Sequence, residues 1–230
     1  MEEEVRPWDN LLPEILEQIF GRCSLQDKFC VIPSVCKSWK RVLTGPSCWQ
    51  EIDILKWSTD VDNGDRICML YFLLMRNSGL LKTLSICCTL KMPMSFLSDS
   101  IVIENASKLS NLRFLDVSYC SSIGAPALEA IGKHCKHLTG LRRTCEKIRG
   151  KYFDEEAFAI AATMPNLKRL EIPKLVYLTA TPVLTILSCC THLEFLDVIE
   201  SYYVGPEKNC RFKFYWMILS RQRRDVVIRC

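Results

Sequence analysis

Histidine is scarce in this chain: His134, His137 and His192 are the only three. None stands beside a serine or cysteine in a nucleophile motif such as G-x-S-x-G, so the sequence offers no hydrolytic triad. Neither a P-loop nor a G-x-G-x-x-G occurs, which removes the common phosphate cradles. No stretch of about 18 uninterrupted apolar residues exists, so no membrane span is expected. Cysteine is abundant, with 14 residues, yet no C-x-x-C appears, and a zinc ribbon or a redox dithiol is not expected. The densest metal-like cluster, His134-Cys135-Lys136-His137, stands alone and reads as an ordinary helix end, so neither a metal nor another cofactor is implied. A strong excess of one charge is also missing. The formal net charge of +4 gives no basic footprint for nucleic acid.

What is present is a globular composition, 49% hydrophobic and 24% charged, in a length that suits one large or two small domains. The start, Met1-Glu2-Glu3-Glu4, is acidic and has no apolar leader core, which points to the cytoplasm or nucleus and to reduced thiols. Residues 1–7 read as a flexible acidic arm. Residues 8–48 then read as a small helical module. Leu12, Ile15, Leu16, Ile19 and Phe20 fall at i, i+3, i+4, i+7 and i+8, one stripe of a helix that Pro13 opens and Gly21 offers to stop. Phe29, Ile32, Val35, Cys36 and Trp39 form a second helical stretch, broken at Pro33. A unit of about 40 residues buries too little to be stable by itself, so its apolar surplus asks for a partner or a neighbouring domain.

From Trp49 a different pattern repeats. Trp49-x-x-Ile52-x-Ile54, Leu81-x-x-Leu84-x-Ile86, Leu112-x-x-Leu115-x-Val117, Leu138-x-x-Leu141, Leu167-x-x-Leu170-x-Ile172 and Leu193-x-x-Leu196-x-Val198 begin 32, 31, 26, 29 and 26 residues apart. Such a period with L-x-x-L-x-L is the leucine-rich-repeat signature, a short strand returned by a helix in each unit. Helical returns are expected at 66–78, 126–136, 154–163 and from Thr181, with Phe158 among the packed residues of the third. The unit at Leu138 departs from the template, because Arg143 stands where an apolar side chain belongs; a shifted register or a distorted unit is expected there. After Val204-Gly205-Pro206 the pattern fails. Phe212, Phe214 to Leu219 and the arginines behind them read as a capping helix with a basic end, as a partner-binding tail or as a truncated repeat.

The combination Leu12-Pro13, Asp27, Val35-Cys36-Lys37-Ser38-Trp39 and Trp49 resembles the F-box, the module that docks a substrate receptor onto the Skp-type adaptor of a cullin-based ubiquitin ligase. Cys120, three residues after Val117, resembles the cysteine-containing subclass of leucine-rich repeats. With repeats over residues 49–204, the order of modules is similar to the F-box/leucine-rich-repeat family and looks plant-like. The resemblance implies an α/β fold: a three-helix F-box, then a short curved solenoid of about six strand-helix units with a parallel sheet on its concave face. Residues 205–230 would follow as a cap or an irregular tail.

It further implies a non-catalytic receptor subunit that binds the adaptor, and through it a cullin, and that holds a protein target for ubiquitination. Neither a nucleic acid nor a membrane enters that role. The adaptor contacts would be Leu12, Pro13, Ile15, Leu16, Ile19, Phe20, Val35 and Trp39; the plainer alternative is that some of these, Val35 and Trp39 above all, serve only the module's own core. The side chains that alternate with the inward Leu, Ile and Val positions would face the target: Thr83, Ser85, Phe114, Asp116, Ser118, Arg142, Thr144, Arg169, Glu171, Phe195 and Asp197. Two aromatics among charges of both signs suit a protein surface better than a phosphate chain. The alternative from another class is a scaffold outside any ligase, whose repeats bind a protein partner.

Overall fold

The computed structural model describes residues 8, 11–54, 79–86, 98–145, 152–175, 177–201, 218 and 225–229. The acidic arm, the return helix expected at 66–78 and most of the segment from 205 onward lie outside the described residues.

Helix α1 (Pro13–Arg22) starts where the sequence places it. Pro13 occupies the first turn, and the Leu12 carbonyl accepts from the N–H groups of Ile15 and Leu16. Gly21 does not stop it; the helix runs on to Arg22, and the Cys23 N–H closes it on the Phe20 carbonyl. A π-helical turn (Asp27–Val31) leads into α2 (Ile32–Val35), where Pro33 sits in the first turn and needs no N–H donor. The break expected at Pro33 therefore falls at Cys36, which is fully extended and caps α3 (Lys37–Leu43) by accepting the Trp39 N–H on its sulfur. A 3-10 turn (Pro46–Trp49) carries the chain into the first strand.

The strands are β1 (Glu51–Asp53), β2 (Thr83–Ser85), β3 (Phe114–Asp116), β4 (Gly140–Arg142), β5 (Arg169–Glu171), β6 (Phe195–Asp197) and β7 (Val227–Arg229). They pair in that order, all parallel, in one open sheet. The middle residues Ile52, Leu84, Leu115, Leu141, Leu170, Leu196 and Ile228 stand directly opposite one another across the sheet. That row is the spine of the core, because alternate strand residues point to one face. Between strands run α4 (Asp99–Asn105), α5 (Ala125–His134), α6 (Asp154–Thr163) and α7 (Ala180–Cys189). The mixed α/β solenoid is thus as expected, with β7 as a seventh strand in a stretch where the leucine template is absent. Helix α4 is likewise additional. In α6, Phe158 does not pack inward as expected; it is exposed on the outer side, while Ala157, Ile160 and Ala161 are buried.

Neighbouring units are tied by recurring polar contacts as well as by leucines. The first residue of α4, Asp99, accepts the Gly124 N–H ahead of α5, and the first residue of α6, Asp154, does the same for Thr179 ahead of α7. Buried thiols act alike. Cys135 donates to the Leu109 carbonyl, Cys190 to that of Met164 and Cys120 to that of Ile86, each in the preceding unit. Burial pushes the Cys135 thiol up to about 12, so it stays a neutral donor.

Arg143 is the largest departure from the expected pattern. The register across β3, β4 and β5 is unbroken, and Arg143 points inward with no exposed surface. Its charge is met by Glu156, on the first turn of α6, at 3.1 Å. Its remaining N–H groups go to the carbonyls of Val117, Cys120 and Ile123 at 2.9, 2.9 and 2.7 Å. The unit needs neither a slip nor a distortion because every donor finds a buried acceptor.

Candidate functional site

Two surfaces carry the residues singled out by the sequence. The first is the outer side of the helical module. Leu12, Ile15, Ile19, Val31 and Val35 are all exposed, at 65, 43, 46, 51 and 51%. Pro13 is exposed beside them. Leu12, Ile15 and Ile19 share one face of α1, and five large exposed apolar side chains on a unit of this size are a surplus that water does not favour. Val31, on the π-helical turn, was not foreseen there; no periodicity of 3.6 reaches a residue on such a turn.

Leu16 and Phe20 do not belong to this surface. At 2% and 1% exposure they are core, because i+1 and i+5 from Ile15 fall on the edge of the apolar stripe that is covered by the rest of the module. Trp39 is half-buried, its ring 5.2 Å from that of Phe20, and its buried indole N–H has no hydrogen-bond partner. Trp8 is exposed.

The second surface is the concave face of the sheet. Two rows of side chains cross it, one on each side of the leucine spine. The first row holds Glu51, Thr83, Phe114, Gly140, Arg169, Phe195 and Val227, and the second holds Asp53, Ser85, Asp116, Arg142, Glu171, Asp197 and Arg229. Glu51 and Asp53 were legible in the same template and belong to the face; Arg229 and Val227 were not, since no leucine motif announces β7. Ser118 and Thr144 lie past the strand ends and are buried: the Ser118 hydroxyl accepts the Thr144 N–H. They brace the turns and do not face outward, a correction to their expected place.

Asp116, Glu171 and Asp197 are also buried. The repeated Phe-Leu-Asp-Val of units three and six explains two of them. Asp116 accepts the Ser118 N–H at 2.9 Å and Asp197 the Ile199 N–H at 2.9 Å, a local turn that the short carboxylate suits. Arginines lie over these carboxylates. Arg142 reaches Glu171 at 2.7 Å and Asp116 at 3.6 Å, Arg169 reaches Glu171 at 2.5 Å, and Arg229 reaches Asp197 at 3.7 Å. The Glu171 side chain holds the Arg142 guanidinium above its ordinary value. Burial alone would raise the Glu171 carboxyl, but hydrogen bonds from Arg142 and Arg169 outweigh it and hold it below the usual range.

A cleft of about 440 Å³ lies between the end of α1 and the strands β1 to β4, with Arg22, Cys23, Lys28, Asp53, Asp116 and Arg142 among its walls. Lys28 is buried. Its ammonium donates to the carbonyls of Gly21 and Cys48 at 3.1 and 2.8 Å and sits over the Trp49 ring. Burial lowers its pKa below the ordinary lysine value. Among the described residues no group of His, Cys, Asp and Glu is placed to hold a metal ion, and no helix is long and apolar enough to cross a membrane. His134 and His137 are exposed while Cys135 points into the core.

Comparison with known proteins bears on both surfaces. Residues 8–51 match the F-box domain family. The chain is 45% identical over 224 residues to the F-box protein FBW2 of Arabidopsis thaliana, a match covering 86% of this chain and 70% of that protein. Against the putative F-box/LRR-repeat protein 9 of the same plant it is 30% identical over 218 residues, covering 85% and 88%. Against the F-box protein SKIP19, also of that plant, it is 28% identical over 225 residues, covering 86% and 70%.

Proposed function

The chain belongs to the F-box/leucine-rich-repeat family of plant-like F-box proteins, and from that membership we propose that it is the substrate-recognition subunit of a cullin-based ubiquitin ligase. Residues 8–48 bind the Skp-type adaptor, which links the chain to a cullin, and the repeats over 49–204 hold a protein target. The work is done in the cytoplasm or nucleus. The chain performs no covalent chemistry itself. It acts by holding the target near a charged ubiquitin-conjugating enzyme, so that transfer becomes effectively intramolecular.

The observation that carries this reading is the exposed apolar patch of Leu12, Ile15, Ile19, Val31 and Val35 on a module whose opposite side is already committed to the solenoid core. A patch of that kind asks for a partner helix or groove. Leu12, Pro13, Ile15, Ile19 and Val35 are the contacts assigned to the adaptor, and Val31 joins them. Leu16, Phe20 and Trp39 support the patch from beneath.

Co-purification of the full chain with a Skp-type adaptor tests the proposal, comparing wild type with Leu12→Ala/Pro13→Ala. A stable complex lost in the double variant, with unchanged circular dichroism, is the expected result. A wild-type chain that stays soluble and ignores the adaptor would overturn it and leave the scaffold role in its place.

A further inference from the structure

The charges of the concave face are not mixed at random in depth. The side chains of Asp116, Glu171 and Asp197 are only 6, 10 and 10% exposed, whereas those of Arg142, Arg169 and Arg229 are 43, 51 and 64% exposed. The carboxylates form a lower layer and the guanidiniums an upper one. A molecule approaching β4 to β7 therefore meets cations, although the formal charges of these six residues cancel.

Two of the arginines are held together. Glu171 spends one oxygen on the Nε–H of Arg142 and the other on the Nε–H of Arg169, at 2.7 and 2.5 Å. Each contact uses the inner edge of the guanidinium. A guanidinium has five N–H donors in a fixed fork. Among the described residues the Arg169 side chain makes no other hydrogen bond, and the Arg142 side chain adds only the long Nη contact to Asp116. Among the described residues, both Nη groups of Arg169 and the second Nη group of Arg142 are therefore uncommitted. Arg169 is further fixed by the Phe195 ring, 4.1 Å beneath its central carbon, which removes water from one side of the cation. The result is two preoriented forks side by side on neighbouring strands, already bound along their inner edges.

We propose that Arg142 and Arg169 form an anion clamp that takes an Asp or Glu side chain from an extended, acidic segment of the target protein. The assignment rests on the reading of the repeats as the target-binding module and names the chemistry of that target. A carboxylate matches a guanidinium fork in bidentate geometry. A monoanion also fits the charge. Arg142 and Arg169 are locally cancelled by Glu171 and Asp116, so a doubly charged phosphoryl group would add a second negative charge close to two carboxylates.

The test starts from random dodecapeptides displayed on phage and selected on the immobilised full chain. One enriched peptide is then labelled, and its affinity for each variant is measured by fluorescence anisotropy. The expected outcome is enrichment of Asp and Glu, binding that weakens with salt, and a loss of about tenfold or more in Arg169→Gln. Arg169→Lys retains the charge but not the fork and should fall between the two. Since Arg142→Gln and Arg169→Gln each leave Glu171 with one partner fewer, melting by circular dichroism accompanies both, and only a variant that keeps the wild-type melt is scored for binding.

Selection of neutral or basic peptides, recovery of no binder, or equal affinity in Arg169→Gln overturns the clamp. Tighter binding of the phosphoserine form than of the glutamate form overturns the assignment to a carboxylate. Adaptor binding measured on the same preparations keeps the two readings apart. Adaptor retained with basic peptides sinks only the clamp, and adaptor lost with acidic peptides sinks only the ligase role.

Discussion

Breaking the Arg143–Glu156 pair should cost this protein a large part of its stability, by an amount that depends on which partner is removed. Arg143 is fully buried and Glu156 is 3% exposed, so neither charge can turn to water when the other goes. In Glu156→Gln the guanidinium keeps its three carbonyl acceptors but loses its counter-charge, which costs about 3–5 kcal/mol for a buried ion left alone. Arg143→Met leaves a buried carboxylate and also strips the donor from three buried carbonyls, each worth about 1–3 kcal/mol. Its loss should therefore equal or exceed that of Glu156→Gln. The double variant removes both charges, and its loss should fall short of the sum of the singles by about 1–3 kcal/mol. Urea unfolding followed by circular dichroism gives the three values. Hydrogen exchange adds a local signature, because the carbonyls all belong to residues 117–123, the turn after β3: in Arg143→Met that turn should lose protection first. Losses under about 1 kcal/mol in both singles, adding without coupling, would show that water reaches the pair and refute the reasoning.

Other variants probe the remaining features. Leu16→Ala, in the core of the F-box, should cost about 2–5 kcal/mol in urea unfolding, while Ile15→Ala, one residue away and exposed, should change stability by less than about 0.5 kcal/mol and instead weaken adaptor retention in a pull-down. A methyl group at Gly132 on α5 would overlap the side chain of Thr163 on α6, so Gly132→Ala should destabilise by about 1–3 kcal/mol in the same assay. Glu171 has a folded pKa below its unfolded value, so its stabilising contribution is present above the ordinary glutamate value of about 4.3 and disappears as pH falls through the lowered one. Stability measured against pH should show the gap between wild type and Glu171→Gln closing as the solution is acidified.

How much of this was legible in the sequence depends on the range of the interactions. The spine of Ile52, Leu84, Leu115, Leu141, Leu170 and Leu196 was legible because a period of two within each strand and a fixed repeat length fix both register and face. So was α1, whose proline and apolar stripe are local signals. Arg143 misled because its partner lies 13 residues on, in Asp154-Glu155-Glu156, which reads as the acidic start of a helix. Both readings of that stretch hold, since Glu156 turns inward from the first turn while Asp154 caps the next unit. The exposure of Phe158 and the burial of Leu16 were misjudged for one reason: a 3.6 period marks an apolar stripe but not which edge of it the neighbouring element covers. Helix α4 was missed because Ser100-Ile101-Val102-Ile103 is rich in β-branched residues. The layering of arginine over carboxylate has no sequence signal at all. It arises from the contrast between a short Asp held by its turn, or a Glu drawn down between two arginines, and the longer Arg side chains that stay more exposed.

The join between the helical module and the solenoid bears directly on the proposed mechanism. Trp49 ends the F-box and is 2% exposed; its indole N–H donates to the Leu43 carbonyl at 2.8 Å and its ring packs on Phe29. One residue later, the Gln50 carbonyl accepts the N–H groups of Lys82 and Thr83, the first rung of the sheet. Lys28 ties the end of α1 to the residue before Trp49, donating to the carbonyls of Gly21 and Cys48. The apolar core passes without a gap from Leu16 and Phe20 through Trp49 into Ile52 and Leu84. A receptor that works by proximity gains most when the angle between its two binding surfaces is fixed, because a flexible hinge dilutes the target over many positions. A buried tryptophan, a buried lysine against its ring and a core continuous across the join supply that fixity within a few residues.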